Sequence, residues 1–505
     1  MLVDRLDSAI TQLAARITTM HQTIARLPAS YRLHEDDART ALKDLPENSV
    51  HCVVTSPPYF GLRMYQVAPM VWGGNEECDH VWQVGKGQKM GGGIGTWTVG
   101  QHADDRTHFS SPSATCLQCG AWRGHLGLEP TPEDFIAHLV EIFRAVKRVL
   151  RPDGTLWLNV GDSYWGSGKG YGNTKPSGKQ ASNAGSLLYQ HEGSSRPPTI
   201  DAHPTLKDKD LLGIPWMLAF ALRADGWYLR QANIWHKPNA MPSSVRDRPA
   251  TDYEYVFLLA KSPRYFYDDF AVRQPHSEES RRRAMRGNSA TNKYANNPAL
   301  PAGVHPNTMS QPRAFQGYER MDETIAAGGT PLNPAGRNLR AVWTIPSQPR
   351  RDKHFATYPD ALVETCLKAG TSDYGCCAVC GAPYRRTTEP TPEYAELLTG
   401  DWADHEQDAR EGRGHFTLPD GSRATQRPTK RGAPSVTAAY VTTGWASTCG
   451  HRAERVPCTV LDPFNGIGTT GVVALRMDRS YLGIDLSPQY VAATEAKLQA
   501  LLASQ

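Results

Sequence analysis

Val460-Leu461-Asp462-Pro463-Phe464-Asn465-Gly466-Ile467-Gly468-Thr469-Thr470 decides the fold. An apolar run ends in an acid, turns through glycines and continues as a helix, so the segment reads strand, turn, helix. Glycines at such a turn let a ligand approach the backbone, and the amides that open the helix face it. Downstream, Tyr481-Leu482-Gly483-Ile484-Asp485 reads as a second strand ending in an acid, a group suited to a ribose diol. Ser487-Pro488 then caps the last helix. The glycine spacing differs from the Gly-x-Gly-x-x-Gly of dinucleotide sites. The Asp-Pro-Phe prefix and the distance to Asp485 make the pattern specific.

Far upstream, Thr55-Ser56-Pro57-Pro58-Tyr59-Phe60 follows the apolar run from Val50 to Val54. Neither proline has an N–H for a neighbouring strand, so the strand stops in a stiff corner. Such a corner orders the Ser56 hydroxyl, a proline carbonyl and the Tyr59 ring. These can hold a flat, amino-bearing ring by its edge and its face, as a nucleobase pocket requires. The same corner also suits an ordinary closed loop.

Between these stretches strands and helices alternate, the pattern of a doubly wound α/β fold. Tyr31 to Val54 reads strand, acidic turn, short helix, strand. Asp36 and Asp37 end the first strand, either facing the ligand crevice or capping the helix at Ala38. Thr131-Pro132-Glu133-Asp134 opens a long helix, with a strand after it over 154–160. A helix over 207–224 and strands over 227–235 and 253–260 follow. Residues 273–350 lose periodicity and gain Asn, Gly, Pro and Arg, too long a stretch for a loop in a compact domain.

At 505 residues, 39% hydrophobic and 21% charged, the chain has a globular composition and room for roughly two to four domains. Asp4, Arg5 and Asp7 interrupt the N-terminus, so no signal peptide is expected, and no apolar run approaches the roughly 18 residues of a membrane span. The expected location is cytoplasmic, with no membrane contact. Basic clusters at Arg281–Arg283 with Arg286, at Arg350, Arg351 and Lys353, and at Arg423, Arg427, Lys430 and Arg431 are either solvated surface or nucleic-acid contacts. Residues 3–27 carry a heptad pattern, with Val3, Ile10, Ile17 and Ile24 on one seam and Leu6, Leu13, Met20 and Leu27 on the other. That predicts a homodimeric coiled coil, or a helix docked on its own domain.

Four of the ten cysteines form two Cys-x-x-Cys pairs. Cys78-x-His80 with Cys116-x-x-Cys119-Gly120, and Cys377-x-x-Cys380-Gly381 with Cys449-x-His451, repeat one ligand grammar in opposite order. Short pairs let one tight turn present two ligands to a tetrahedral ion, so two zinc (Zn2+) sites are expected. Cys376 is an alternative to Cys377. Cys52, Cys366 and Cys458 read as small core residues.

The Asp462-Pro-Phe-x-Gly-x-Gly-Thr-Thr and Thr55-Ser-Pro-Pro-Tyr motifs together resemble the S-adenosylmethionine-dependent DNA amino-methyltransferases. The order is the permuted one of the β group, in which the catalytic motif precedes the cofactor motif. The resemblance covers residues 30–60, 130–165, 205–270 and 340–500. It implies an α/β, Rossmann-like seven-stranded methyltransferase sheet with an irregular target-recognition region.

On that reading residues 1–28 are the N-terminal helix, 29–70 the catalytic half and 71–129 a zinc-binding insertion. The methyltransferase domain continues over 130–272, 273–350 recognises the target, and 351–375 returns to the domain. Residues 376–457 form the second zinc-binding insertion, and 458–505 the cofactor-binding half. Asp462, Phe464, Gly466, Gly468 and Thr469 would line S-adenosylmethionine, Asp485 would bind its ribose, Asp37 would approach its adenine, and Phe355 and Thr357 its methionine end. Ser56, Pro57, Pro58 and Tyr59 would hold a base flipped out of double-stranded DNA. Ser56, where other members carry aspartate, favours N4 of cytosine, with N6 of adenine as the alternative. A cognate restriction endonuclease is a candidate partner. The competing readings are a non-catalytic DNA-binding protein that keeps the fold and an enzyme acting on RNA or a small molecule.

Overall fold

The computed structural model describes residues 27–61, 67–84, 114–165, 203–207, 209–243, 245–279, 336–348, 358–390, 416–417, 423–424 and 440–504. All of the heptad stretch except Leu27, the basic clusters except Arg423, and both Phe355 and Thr357 lie outside the described residues.

Eight strands form the central sheet: β1 Tyr31–Glu35, β2 Val50–Thr55, β3 Leu150–Val160, β4 Tyr228–His236, β5 Tyr253–Ala260, β6 Val342–Thr344, β7 Thr459–Asp462 and β8 Ser480–Asp485. Their order is β1-β8-β7-β2-β3-β5-β4-β6. The first five in that order are mutually parallel, whereas β5 runs antiparallel to both β3 and β4. Seven strands match the expected sheet. The three-residue β6 adds an eighth by pairing parallel with β4.

All six residues of β2 are buried, as befits a parallel strand covered on both faces. Among the described residues six helices supply the cover: α1 Ala38–Asp44, α2 Pro132–Val149, α3 Ile214–Ala224, α4 Asp360–Gly370, α5 Thr469–Arg476 and α6 Pro488–Ala503. Val53, Leu156 and Leu461 stand in register across β2, β3 and β7. They belong to one core with Phe135, Leu139 and Phe143 of α2 and with Leu218 and Leu222 of α3. Each such side chain contributes about 1.5–3 kcal/mol by leaving water.

Local chemistry places the helix ends. Thr131 caps α2 by accepting the Asp134 N–H at 3.1 Å, with Pro132 in the first turn. The helix expected over 207–224 instead begins at Ile214. Gly213 stands at φ 75°, and Asp162 Oδ1 accepts the N–H groups of Gly213 and Ile214 at 3.1 and 3.2 Å. Strand β3 starts at Leu150, before the expected 154, because Val50 pairs with Leu150 ahead of a register shift.

The chain divides into two compact units, Met1–Tyr267 with Arg340–Tyr384 and Ser447–Gln505, and Asp268–Leu339 with Arg385–Ala446. The central sheet belongs to the first. Both ligand-bearing ends of the 376–457 stretch lie in the first unit, and its middle lies in the second. Within the second unit, strands Arg385–Pro390 and Tyr440–Ala446 pair antiparallel. Arg386 lies over the Trp445 ring at 4.4 Å and meets the buried Asp268 carboxylate at 3.1 Å, which fixes that pair to the 268–270 segment.

Candidate active site

From the adjacent strands β7 and β2 the chain moves in opposite directions, through α5 to β8 and through α2 to β3. A crevice opens at such a switch point, beyond the carboxyl ends of the strands. Its walls include Asp37, Ser56, Pro58, Phe464, Gly466, Thr469 and Asp485. Residues hundreds of positions apart thus share one pocket.

Asp37 has two tasks. It caps α1 by accepting the Arg39 N–H at 2.8 Å, and it is gripped by the Arg39 guanidinium at 2.6 Å. Both readings of this acid therefore hold.

Asp462 does not face the pocket. It is 1% exposed beneath the turn, where Oδ1 accepts Thr55 Oγ1 at 2.6 Å and the Phe464 N–H at 3.1 Å. Its Oδ2 accepts the hydroxyls of Tyr358 and Thr470, both at 2.9 Å. The acid organises the glycine turn that lines the pocket. Gly468 also lies behind the pocket wall, at φ 77°, where a Cβ would come within 2.4 Å of the Thr494 side chain. Only glycine allows α6 to approach α5 so closely.

Asp485 ends β8 with Oδ2 accepting the Gly466 N–H at 2.7 Å and Oδ1 accepting the Ser487 N–H at 2.9 Å. Burial pushes its carboxyl up to about 6, against these two donors. In the cofactor-free chain the folded state then holds a proton between roughly pH 4 and 6 that the unfolded chain does not, so this group adds stability as pH falls through that window. If Asp485 holds a ribose, as the sequence resemblance implies, the ribose hydroxyls would donate to the ionised form, and cofactor affinity would move the other way. The expected result is a dissociation constant that rises as pH falls below about 6, approaching tenfold per pH unit, and levels above pH 7. Calorimetric titration of S-adenosylmethionine between pH 5 and 7.5 checks it, and Asp485→Asn flattens the profile.

At the other side, Ser56 Oγ lies 3.5 Å from the Tyr59 hydroxyl. That hydroxyl donates to Glu254 Oε2 at 2.8 Å, and Asn159 Nδ2 donates to the same oxygen at 3.0 Å. Lys237 Nζ holds the other carboxylate oxygen. Gly161 packs on the ring face, where a Cβ would lie 2.5 Å from Tyr59 Cε2. Glu254, Asn159 and Lys237 were not singled out as site residues from sequence. The available signal was an acid within the otherwise apolar strand Tyr253–Ala260.

The cysteine pairs also come together. Cys78, His80, Cys116 and Cys119 form one cluster and Cys377, Cys380, Cys449 and His451 another, all ligand atoms within 4.8 Å of one another. In the first, Cys78 and Cys116 sulfurs are 3.9 Å apart. A zinc tetrahedron with bonds of about 2.3 Å has edges of about 3.8 Å, so the set fits that ion. Each cluster uses the same knuckle: Gly120 donates to the Cys116 carbonyl at 3.0 Å, and Gly381 to that of Cys377 at 2.8 Å. Both glycines have positive φ, 73° and 69°.

Cys376 points elsewhere, into a buried group with Cys458 and His51. There His51 Nδ1 accepts the Thr459 N–H at 3.0 Å while Nε2 meets the Gly381 carbonyl at 2.8 Å. Both ring nitrogens are engaged, so this third group offers no histidine lone pair to a metal. Cys52, Cys366 and Cys458 are buried, as expected of core residues.

A doubly wound sheet with an acid-ended strand, a glycine turn and a Ser-Pro-Pro-Tyr corner around one pocket defines a nucleotide-cofactor enzyme. The family model described as DNA methylase matches residues 50–377 and 458–496. The chain belongs to this family and is an S-adenosylmethionine-dependent DNA amino-methyltransferase. Among its relatives, the Type II methyltransferase M.XycI of Xanthomonas campestris pv. cyanopsidis is 30% identical over 467 residues, covering 92% of this chain and 87% of its own. M.Cfr9I of Citrobacter freundii is 28% identical with the same coverage. Among solved structures, the PvuII DNA methyltransferase (cytosine-N4-specific) covers 94% of this chain and 91% of its own at 12% identity, with a TM-score of 0.39.

Proposed function

We propose that this enzyme methylates N4 of cytosine within a specific site of duplex DNA, acting on a base flipped out of the helix. The carrying observation is Ser56, a neutral hydroxyl on the pocket wall beside the Tyr59 hydroxyl. S-adenosylmethionine supplies a methyl group already activated on a sulfonium. An exocyclic amine is a poor nucleophile because its lone pair is delocalised into the ring. Ser56 Oγ and the Pro57 carbonyl would accept hydrogen bonds from the amino group and turn that lone pair toward the methyl carbon. The electron pair of the broken S–C bond would stay with the departing thioether and the amino proton would be lost to solvent, so alignment carries much of the catalysis. Pro58 keeps the corner stiff, and Tyr59 stacks on the base.

The fit of the cofactor rests on Asp485, on Phe464 and on Thr469, whose buried Oγ1 has no partner among the described residues and lies at the N-terminus of α5. That position suits an anionic group such as the carboxylate of the methionine end. The two cysteine-histidine clusters are read as structural zinc sites, supported by their ligand chemistry and spacing. A dimer seam along residues 3–27, target recognition by residues 273–350 and a cognate restriction endonuclease complete the proposal.

Single-molecule sequencing of DNA from cells expressing the protein, beside a Tyr59→Ala control, tests it. The expected result is N4-methylcytosine in one sequence context, absent from the control. N6-methyladenine alone would overturn the cytosine assignment. Unmodified DNA from well-expressed, cofactor-binding protein would favour a DNA-binding protein that keeps the fold.

A further inference from the structure

The first cysteine-histidine cluster sits in a four-stranded antiparallel ribbon: Met70–Trp72, Trp122–Gly124, Ala114–Cys116 and Trp82–Val84, in that spatial order. Its two arms meet where Met70 pairs with Gly124. The same two arms reach the cofactor pocket, because Met70, His125 and Leu126 line it together with the glycine turn and Asp485. His125 is 8% exposed, and its Nδ1 is buried with no hydrogen-bond partner among the described residues. A buried, unpaired ring nitrogen costs about 1–3 kcal/mol, and because this atom is closed to solvent, a ligand in the pocket satisfies it only when the ring turns about its Cβ–Cγ bond.

The ribbon also holds two other parts of the site. Arg39, which grips Asp37, donates to the Val71 carbonyl at 3.2 Å and stacks 3.9 Å over the Trp72 ring. Trp72 and Trp122 each stack with His138 of α2, at 4.4 and 5.6 Å between ring centres. His138 meets the buried Glu129 at 3.0 Å, and Glu129 accepts the Gly127 N–H at 2.7 Å. The Gly127 carbonyl in turn accepts the N–H of Gly61, directly after the catalytic corner. The second cluster lies at the other end of the sheet. There Arg151 and His51, at the starts of β3 and β2, hold the Cys380 and Gly381 carbonyls.

We propose that the first ribbon is a wall of the cofactor site, with His125 a hydrogen-bond partner of bound S-adenosylmethionine, so that metal loading at Cys78, His80, Cys116 and Cys119 and cofactor affinity are thermodynamically linked. This rests on the zinc reading above. A ribbon so small depends on its metal to fold, and losing the metal frees both arms from the pocket. The burial that keeps the His125 ring neutral leaves it one donor and one acceptor nitrogen. Linkage is reciprocal, so bound cofactor must raise the metal affinity of the first cluster by the factor by which that metal raises cofactor affinity.

The test combines zinc stoichiometry by atomic emission with calorimetric cofactor affinity on the full chain. His125→Ala is expected to keep two zinc ions and weaken S-adenosylmethionine about 5- to 10-fold, the worth of one hydrogen bond. Cys119→Ser is expected to keep one zinc and weaken the cofactor further. Cys380→Ser also loses one zinc, yet changes cofactor affinity less than about twofold. Wild-type cofactor affinity in both His125→Ala and zinc-depleted Cys119→Ser would overturn the inference and leave the zinc reading intact. Wild-type protein purified without chelators and free of zinc would overturn the zinc reading and the linkage together. In that case weak binding by His125→Ala would still support the wall.

Discussion

Replacing Tyr59 by alanine is expected to lower methyl transfer to duplex DNA by about 100-fold while cofactor affinity changes less than about twofold. On the proposal above the ring stacks on the flipped base, a contact worth about 1–3 kcal/mol, or about 5- to 150-fold. Its loss also takes away the hydroxyl that donates to Glu254. Tyr59→Phe separates the two contributions. The ring stays against Gly161, the hydrogen bond goes, and the expected loss is about 3- to 10-fold. Single-turnover transfer of a labelled methyl group reads both variants. A Phe variant as slow as the Ala variant would show that the hydroxyl and its tie to Glu254 matter and that stacking does not. An Ala variant at wild-type rate would remove Tyr59 from the base pocket altogether.

Asp462→Ala is expected to abolish cofactor binding and to cost about 3–5 kcal/mol of stability, because it leaves more than one buried donor unpaired at about 1–3 kcal/mol each. The carboxylate joins β2, through Thr55, to the glycine turn and to Tyr358. Deleting it strands the Thr55 hydroxyl and the Phe464 N–H, while the Tyr358 hydroxyl keeps Thr470 as a partner. Asp462→Asn keeps the shape and one acceptor oxygen, and its amide can donate to a rotated Thr470 hydroxyl, so its cost is expected to be about 1–2 kcal/mol. Thermal unfolding with and without S-adenosylmethionine checks both variants. With two compact units the chain need not melt in one step, so the transition that shifts with cofactor is the one to read. An alanine variant that melts like the wild type and binds cofactor would refute the organising role.

These two sites differ in how far sequence revealed them. Asp485 and the glycine turn were legible because strand, turn and helix signals are local, whereas Asp462, expected to line the cofactor, is turned inward onto the hydroxyls of Thr55, Tyr358 and Thr470. The cysteine and histidine pairs that come together in two clusters were legible for the same reason, since each Cys-x-x-Cys-Gly knuckle is a short-range object. What surrounds Tyr59 was not. Glu254 sits 195 residues away on another strand, and only the antiparallel register of β5 with β3 brings it beneath the corner. The start of α3 was misplaced for a similar reason. Leu211, Leu212 and Ile214 look like continuous helix, yet the cap comes from Asp162 across the sheet edge. The group of His51, Cys376 and Cys458 likewise draws on three separate segments, so single-residue patterns register only buried cysteines. His125 carried no signal at all, since its significance lies in being unpaired.

The hydrogen bond from Thr448 Oγ1 to the Pro383 carbonyl, 2.7 Å long, joins the two points where residues 385–446 leave the first unit and return to it. Cys376 pairs with Val456 and Cys377 with Arg455 just behind, so exit and re-entry are stitched side by side before any metal is considered. An excursion anchored in this way behaves as a closed loop whose ends are already fixed. Doubling its length would add only about 0.6 kcal/mol of closure entropy to the cost of ordering the chain. Evolution can therefore rewrite or lengthen that stretch as a cassette, while the strands that carry the methyl-transfer chemistry keep their register.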